Sequence, residues 1–338
     1  MDKHDKLYLR WRALCAAACV AAMAALPGPA RAQADFPSRP LTLLVPFTAG
    51  GATDVLARAV AEGLAKDLKQ PVVVENVPGA GGSVGQARAA RAAPDGYTMV
   101  LGNVGTFAAN ASLYKNLSYD IVNDFVALAS VGDAPQVLSV RAGLPAGNLD
   151  EFVAYAKANG AKMNFGTAGV GSGSFLGGVL LNAAVGIQVM PVHYRGAAQA
   201  TADVMAGIID YTVESSSTAV SSIASGKVKG LVVMRDQRVP VLPGVQAASE
   251  TGFPGLHYDI WNMVLAPKGV PPEVAGKLNA SLNRVLASPA IRERYAQMGV
   301  AVPSEEHRSL AGSAELLRSE VARWRDLLAK AGIEPEGG

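Results

Sequence analysis

The stretch Pro46-Phe47-Thr48-Ala49-Gly50-Gly51-Ala52-Thr53-Asp54 follows an apolar run at residues 41–45 and precedes a segment with helical periodicity. The arrangement recurs further on, where residues 72–75 have a strand pattern and Pro78-Gly79-Ala80-Gly81-Gly82-Ser83 leads into a second helix. A glycine turn at the start of a helix exposes backbone N–H groups at the positive end of the helix dipole. Such a turn suits an anion, so the pair predicts a site for a small anionic solute.

The first 32 residues have the pattern of a Sec-type signal peptide. Four basic residues are followed by an alanine-rich apolar stretch at residues 13–26, which is too short to span a bilayer comfortably. Pro27-Gly28-Pro29 breaks the helix, and Ala30-Arg31-Ala32 fits a small-residue cleavage site. We therefore expect export to the periplasm with cleavage after Ala32; an uncleaved anchor is the alternative.

Removal of this peptide changes the composition of the chain. Both cysteines, Cys15 and Cys19, leave with it, which excludes disulfides, thiol catalysis and zinc–thiolate sites from the mature chain. The whole chain has a formal net charge of +2, and residues 1–32 carry five basic and two acidic residues, so the mature charge is −1. A near-neutral chain has no basic field for nucleic acid, and no later apolar run is long enough to cross a membrane.

Strands and helices alternate along most of the chain, which predicts an α/β protein with mainly parallel sheets flanked by helices. The first part predicts strands at residues 41–45, 72–75 and 97–101, with helices at 53–69 and 82–93. The alternation restarts with helices at 149–159 and 175–185 and strands at 163–165, 188–192, 211–214 and 230–234. Residues 271–331 are predicted to be helical, with Leu317, Val321, Trp324 and Leu328 as a core stripe.

Two longer segments, residues 125–140 and 258–266, are predicted to connect two lobes and to act as a hinge. The first lobe would hold residues 33–131 and 262–338, and the second would hold residues 132–261. Because ligands in open α/β sheets bind beyond the carboxyl ends of the strands, the cleft between the lobes is the expected site.

Several motifs suggest other functions and do not meet the requirements of those functions. The turn at Gly79 and Gly81 has Val84 where a dinucleotide-binding motif needs its third glycine, and no P-loop lysine is present. Residues 81–85 match the G-x-S-x-G hydrolase motif, with Ser83 as nucleophile, but Val77-Pro78-Gly79-Ala80 intervenes between the preceding strand and the motif, whereas a nucleophile serine follows its strand directly. A secreted serine hydrolase is therefore the alternative function. The histidines are not spaced as metal ligands, and neither a metal nor a cofactor is predicted.

The motifs PFTAGGATDVLAR, ENVPGAGGSVG, DGYTMVLGN, LYKNLSYDIVNDF, GTAGVGSGSFLGG and HYRGAAQATADVMAG resemble the substrate-binding proteins of tripartite tricarboxylate transporters, also called Bug-type receptors. The resemblance covers essentially the whole mature chain. It implies a type II periplasmic binding protein of the Venus-flytrap class that delivers a small carboxylate to a membrane permease. A sensor for a signalling partner is a further alternative. A monomer is expected.

The resemblance also implies which residues bind the ligand, mostly through backbone amides, hydroxyls and water. The first loop would supply Thr48, Ala49, Gly50, Gly51 and Asp54, and the second Gly79, Ala80, Gly81 and Gly82. Asn103 and Thr106 would add side-chain contacts, and the second lobe would contribute Thr167, Ser172, Ser174, Tyr194, Arg195 and Gly196.

One position departs from the family pattern. Phe175-Leu176 stands where the family usually has His-Leu. If Phe175 faces the cleft, its apolar ring predicts a ligand with one carboxylate and an apolar or aromatic body, because a second carboxylate against the ring would lose hydration. If it packs beneath the helix, it has no influence on the ligand.

Overall fold

The computed structural model describes residues 36–330 and 333–335. The predicted signal peptide lies outside these residues. The chain divides into one unit that ends at Ser38 and a second that begins at Arg39 and holds all the elements below. Within the described residues, no helix is long and apolar enough to cross a membrane.

The second unit contains ten strands, which alternate with helices over much of the chain. The strands are β1 (Leu41–Val45), β2 (Val72–Asn76), β3 (Thr98–Asn103), β4 (Phe125–Arg141), β5 (Asn164–Thr167), β6 (Met190–His193), β7 (Tyr211–Ser215), β8 (Val228–Val233), β9 (Gln246–Ala247) and β10 (Asp259–Pro267). β1 illustrates why the apolar runs form strands, since Leu41, Leu43 and Val45 are fully buried.

The described helices cover the sheet. They are α1 (Ala52–Leu68), α2 (Ser83–Ala90), α3 (Asn110–Leu113), α4 (Leu149–Asn159), α5 (Gly173–Val185), α6 (Ala197–Met205), α7 (Ser216–Ala224), α8 (Pro272–Ala287), α9 (Pro289–Met298), α10 (Glu305–Arg308) and α11 (Leu310–Lys330). A π-helical turn, Gly105–Ala109, precedes α3. The stripe predicted on the last helix is core, because Leu317, Trp324 and Leu328 are buried.

The strands form one mixed sheet in the order β2-β1-β3-β10-β4-β7-β5-β6, with β8 paired to β4 and β9 paired to β8. The strands β2, β1 and β3 are parallel to each other, as are β7, β5 and β6. In contrast, β10 runs antiparallel to both β3 and β4, and β4 runs antiparallel to β7 and β8. The expected α/β class is therefore confirmed, and its two parallel parts share a single sheet.

The two segments predicted as connections are the long strands β4 and β10. The first part of β4 pairs with β10, and its last six residues, 136–141, pair with β7 and β8. β4 thus runs from the β2-β1-β3 side of the sheet to the β7-β5-β6 side. Whether these two sides move as lobes divided at residues 131/132 and 261/262 stays a prediction.

Candidate ligand-binding site

A cavity of about 50 Å³ lies where the carboxyl ends of β1, β3, β5 and β7 converge. It is lined by Phe47, Gly51, Ala52, Thr53, Asn103, Gln136, Ala168, Ser172, Gly173, Ser174, Ala197, Val213, Glu214, Ser215, Thr218 and Ile260. Since one water needs at least about 10–15 Å³, this space holds at most about three to five waters. The protein therefore has a closed form around the cavity.

Four helices begin at this cavity. The lining includes the cap or first residue of each one: Gly51 and Ala52 of α1, Ser172 and Gly173 of α5, Ala197 of α6, and Ser215 of α7. The first N–H groups of a helix have no partner within it, and the helix dipole adds a partial positive charge there. The convergence of four such ends creates a strong local preference for an anion.

Two of these four helices lack a side-chain cap. Gly51 and Gly196 are the cap residues of α1 and α6, and neither has a side chain that could accept from the first N–H groups. At α5 and α7 the hydroxyl oxygens of Ser172 and Ser215 accept from the N–H groups of Phe175 and Ser217, at 3.3 and 3.4 Å. The N–H groups at the start of α1 and α6 therefore remain available to a ligand.

The side chains around the cavity carry little charge. Among the described residues that line it there is no lysine, arginine or histidine, and Glu214 is the charged residue. Thr53, Asn103, Ser172 and Ser174 supply polar groups, and Asn103 Nδ2 donates to Thr53 Oγ1 at 3.2 Å. Attraction of an anion must therefore come from helix ends, amides and hydroxyls.

Glu214 lies near the end of β7 and is almost completely buried. Its Oε2 accepts from Thr218 Oγ1 at 2.9 Å and from Thr201 Oγ1 at 3.5 Å, and its Oε1 accepts from Ser222 Oγ at 2.7 Å. Burial raises the pKa of Glu214 because the charged form loses its hydration, although the hydroxyl groups of Ser139, Ser222, Thr218 and Thr201 lower it in part.

Glycine turns from the two sides of the sheet touch each other around the cavity. A Cβ atom on Gly81 would lie 1.9 Å from the carbonyl oxygen of Val170, and one on Gly105 would lie 2.1 Å from that of Gly171. At a third contact, a Cβ atom on Gly196 would lie 1.7 Å from Thr48 Oγ1. The closed form therefore needs glycine at these three positions, since any side chain would hold the turns apart.

Tyr114 bridges the same turns with a hydrogen bond, in which its hydroxyl donates to the carbonyl oxygen of Val170 at 2.8 Å. We expect Tyr114→Phe to weaken ligand binding about threefold to tenfold, because a hydrogen bond of this kind contributes roughly 0.5–1.5 kcal/mol to the closed form. Titration calorimetry with a bound carboxylate measures the change. Tyr155→Phe on α4 is the matched control, and equal affinity in the two variants would contradict a role for Tyr114 in closure.

The structure brings some of the predicted residues to the cavity wall and others to its surroundings. Gly51, Asn103, Ser172 and Ser174 line the cavity. Thr48, Gly81 and Gly196 form the contacts between turns, and Gly50 faces Ala198 across the same gap. In the second loop Gly79, Ala80, Gly81 and Gly82 all have positive φ, which gives the loop its tight path. Ala49 is exposed.

Asp54 shapes the first loop and does not line the cavity. One of its oxygens accepts from the N–H of Gly50 and from Arg58 Nε, both at 2.9 Å, and the other accepts from Asn76 Nδ2 at 2.9 Å. Burial alone would raise the pKa of Asp54, but these hydrogen bonds outweigh it and hold the pKa below its usual value. Asp54 therefore acts as an internal brace of the loop.

Four further predicted residues do not line the cavity: Thr106, Thr167, Tyr194 and Arg195. The Thr106 hydroxyl accepts from the Asn103 N–H and donates to the Asn103 carbonyl, both at 3.0 Å, and so fixes the end of β3. Thr167 Oγ1 lies 2.7 Å from His193 Nδ1, and the Tyr194 hydroxyl donates to Asp203 at 2.5 Å. Arg195 is exposed and does not line the cavity.

Phe175 lies outside the cavity wall. Its ring is buried among core residues, 5.7 Å from the His193 ring, and it borders a separate groove between α4, α5 and β6. The prediction that Phe175 selects an apolar acid therefore has no support from this geometry.

Ser83, the alternative nucleophile, lies at the start of α2 and borders an outer groove with Val84 and Arg88. None of the described hydrogen bonds joins Ser83 to a histidine. His193 contacts Thr167, and His257 lies 3.7 Å from Asp259. Among the residues that the structure describes, no histidine is therefore seen as a base for Ser83.

Several lining residues escaped the sequence analysis, above all Thr53, Gln136, Glu214, Ser215 and Thr218. Glu214 and Ser215 follow the rule that site residues lie at the carboxyl ends of strands. That rule could have found them, because the predicted strand at residues 211–214 ends at Glu214. Gln136 lies in the interior of β4, where no motif marks it.

Comparison with known proteins gives one consistent result. The sequence profile described as "Tripartite tricarboxylate transporter family receptor" matches residues 56–333. Three solved structures are similar to this chain, and each is covered over its full length. The periplasmic binding protein BugD is 37% identical over 89% of this chain, with a TM-score of 0.86. MatC from Rhodopseudomonas palustris with bound malate is 36% identical over 87% of the chain (TM-score 0.83), and an R. palustris protein with adipate is 29% identical over 89% (TM-score 0.85).

Proposed function

This chain belongs to the tripartite tricarboxylate transporter family of receptors, which are solute-binding proteins and not enzymes, and we propose that it captures a small carboxylate in the cavity described above. The convergence of four helix N-termini on a closed space is the observation that carries the proposal. Amides and hydroxyls at helix N-termini bind anions without a basic side chain, and the similar structures that hold malate and adipate favour a carboxylate.

The positions of the two uncapped helix N-termini support a ligand that is held from both sides of the sheet. The uncapped start of α1 follows β1, and the uncapped start of α6 follows β6, so donors approach the cavity from opposite ends of the sheet. A ligand that joins them favours the closed form, because each set of N–H groups gains its partner only when the turns meet. Dicarboxylates suit such a site, and two of the similar structures hold malate and adipate.

We further propose that the protein works in the periplasm, after cleavage of its signal peptide behind Ala32, and delivers its ligand to the membrane subunits of a tripartite transporter. BugD, the similar structure described as periplasmic, supports this location. The absence of a membrane-spanning helix from the described residues is compatible with it.

Thermal melting tests the proposal with a panel of mono-, di- and tricarboxylates, amines and neutral sugars. We expect at least one carboxylate to raise the melting temperature, because a ligand at 100 times its Kd adds about 2.7 kcal/mol to the free energy of unfolding. The corresponding amides serve as controls, since they keep the size of the acid and lose its charge. A shift caused only by amines or sugars would overturn the proposal.

A further inference from the structure

Glu214 differs from the rest of the cavity wall because its side chain is an acid. The helix N-termini and hydroxyl groups of the wall suit an anion, whereas Glu214 is a buried carboxyl group that lies with its neighbours Val213 and Ser215 in the same wall. Among the described residues, no lysine, arginine or histidine forms an ion pair with it. A ligand with only carboxylates and methylenes would place negative charge beside this group without any compensation.

The neighbouring hydroxyl groups do not saturate the hydrogen-bond acceptor capacity of the Glu214 carboxylate. The Thr218 hydroxyl, which lies at the cavity wall, has a second acceptor in the Ser215 carbonyl at 3.0 Å, and the Ser222 hydroxyl has one in the Ala219 carbonyl at 3.2 Å. Each hydroxyl has a single proton, so it can satisfy only one acceptor at a time. Thr201, at 3.5 Å, is at the limit of hydrogen bonding.

Oxygen Oε2 is the atom with spare capacity. It shares the Thr218 proton with a main-chain carbonyl, and its other hydrogen bond is the long one to Thr201. The buried Ser139 hydroxyl also faces the Glu214 carboxyl, but without the geometry of a hydrogen bond. A carboxylate offers about four lone-pair sites over its two oxygens. A donor group on the ligand would therefore find an acceptor at the Thr218 side of the cavity.

We propose that Glu214 sets the ligand class, and that the cavity selects a small acid which carries its own hydrogen-bond donor, an ammonium or hydroxyl group, beside a carboxylate. This inference rests on the proposed function and narrows it. The helix ends hold the carboxylate of the ligand, and the Glu214 carboxyl accepts from the donor next to it. An ammonium group gains most, because it also compensates the buried negative charge.

Three four-carbon dicarboxylates test the inference, since they differ only in one substituent: aspartate carries an ammonium group, malate a hydroxyl and succinate a hydrogen. We expect calorimetry on the full mature protein to give the affinity order aspartate, malate, succinate, with at least tenfold between the first and the last. The same comparison with glutamate, 2-hydroxyglutarate and glutarate covers a longer ligand. Succinate and glutarate binding as tightly as their donor-bearing partners would overturn the inference.

Glu214→Gln keeps the shape of the side chain and removes its charge. We expect this variant to bind aspartate at least tenfold more weakly and to lose most of the discrimination between aspartate and succinate. Glu305→Gln makes the same change at a side chain that is 96% exposed and serves as the control. The affinity ratio is the decisive readout, because a purely structural role of Glu214 would weaken all three ligands alike and leave the ratio unchanged.

The outcomes separate this inference from the proposed function. If succinate, glutarate or adipate binds and the donor-bearing acids do not, the protein is a carboxylate receptor and the role given to Glu214 is wrong. If no acid of any kind binds, both proposals fail. Should Glu214→Gln not fold, the order of affinities in the wild-type protein still decides.

Discussion

Gly81→Ala should reduce ligand affinity at least a hundredfold while the protein stays folded. Gly81 has a φ of +58°, and a Cβ atom there would lie 1.9 Å from the main-chain oxygen of Val170. No heavy atoms approach so closely, and backbone cannot swing aside as the end of a side chain can. The variant must therefore hold the two turns apart, which opens the cavity that the ligand needs closed. Calorimetry with the carboxylate found by melting measures the loss.

Gly207→Ala is the control that separates the effect of the steric contact at Gly81 from the effect of a positive φ. Gly207 also has a positive φ, +75°, but a Cβ atom there would meet nothing within 4 Å. Both variants bear the cost of a left-handed alanine, roughly 1–2 kcal/mol, and should melt at similar temperatures. Only Gly81→Ala should lose binding. Wild-type affinity in a folded Gly81→Ala protein would mean that the turns do not meet in this way when the ligand is bound.

Local features of the sequence predicted most of the elements. The helix predicted at residues 149–159 matches α4 at both ends. Its start has a clear signal in the sequence, because the Asn148 side chain accepts from the Glu151 N–H as an N-cap. The π-helical turn Gly105–Ala109 and α3 were missed, since Gly105, Thr106 and Asn110 are poor helix formers. Contacts with the rest of the fold bury Gly105–Ala109, Asn110 and Leu113 and override the low propensity of the segment.

Glycine turns after strands predicted where the site lies, and the family resemblance supplied its residues, of which Gly51, Asn103, Ser172 and Ser174 line the cavity. Arg195 was expected in the cleft from the family resemblance, but its side chain is exposed, and a sequence does not reveal in which direction a loop residue points. The closeness of Gly81 to Val170 depends on how the two sides of the sheet meet, which no local pattern encodes.

Asp133→Asn should stabilise the protein at pH 8 and have little effect near pH 4. Asp133 lies on β4 opposite Trp261 of β10. Burial, and then repulsion from Asp259, raise its pKa to about 6, although His307 and Arg235 act in the opposite direction. The folded protein thus holds this proton more tightly than the unfolded chain does, so the free energy of unfolding falls as pH rises from about 4 to about 6. Asparagine resembles the protonated form and avoids this loss.

The difference between a pKa of about 6 and the model-peptide value of 3.8 sets an upper limit of roughly 3 kcal/mol. Because Asp133 is partly exposed, we expect about 1–2 kcal/mol, which corresponds to a rise of a few degrees in melting temperature. Asp326→Asn, at a side chain that is 66% exposed, is the control and should show no such dependence on pH. A Tm difference between Asp133→Asn and wild type that is the same at pH 4 and pH 8 would show that the burial of Asp133 does not favour its neutral form. A matching rise in ligand affinity at pH 8 would in addition link this residue to the balance between open and closed forms, since β4 and β10 pass from one side of the sheet to the other beside it.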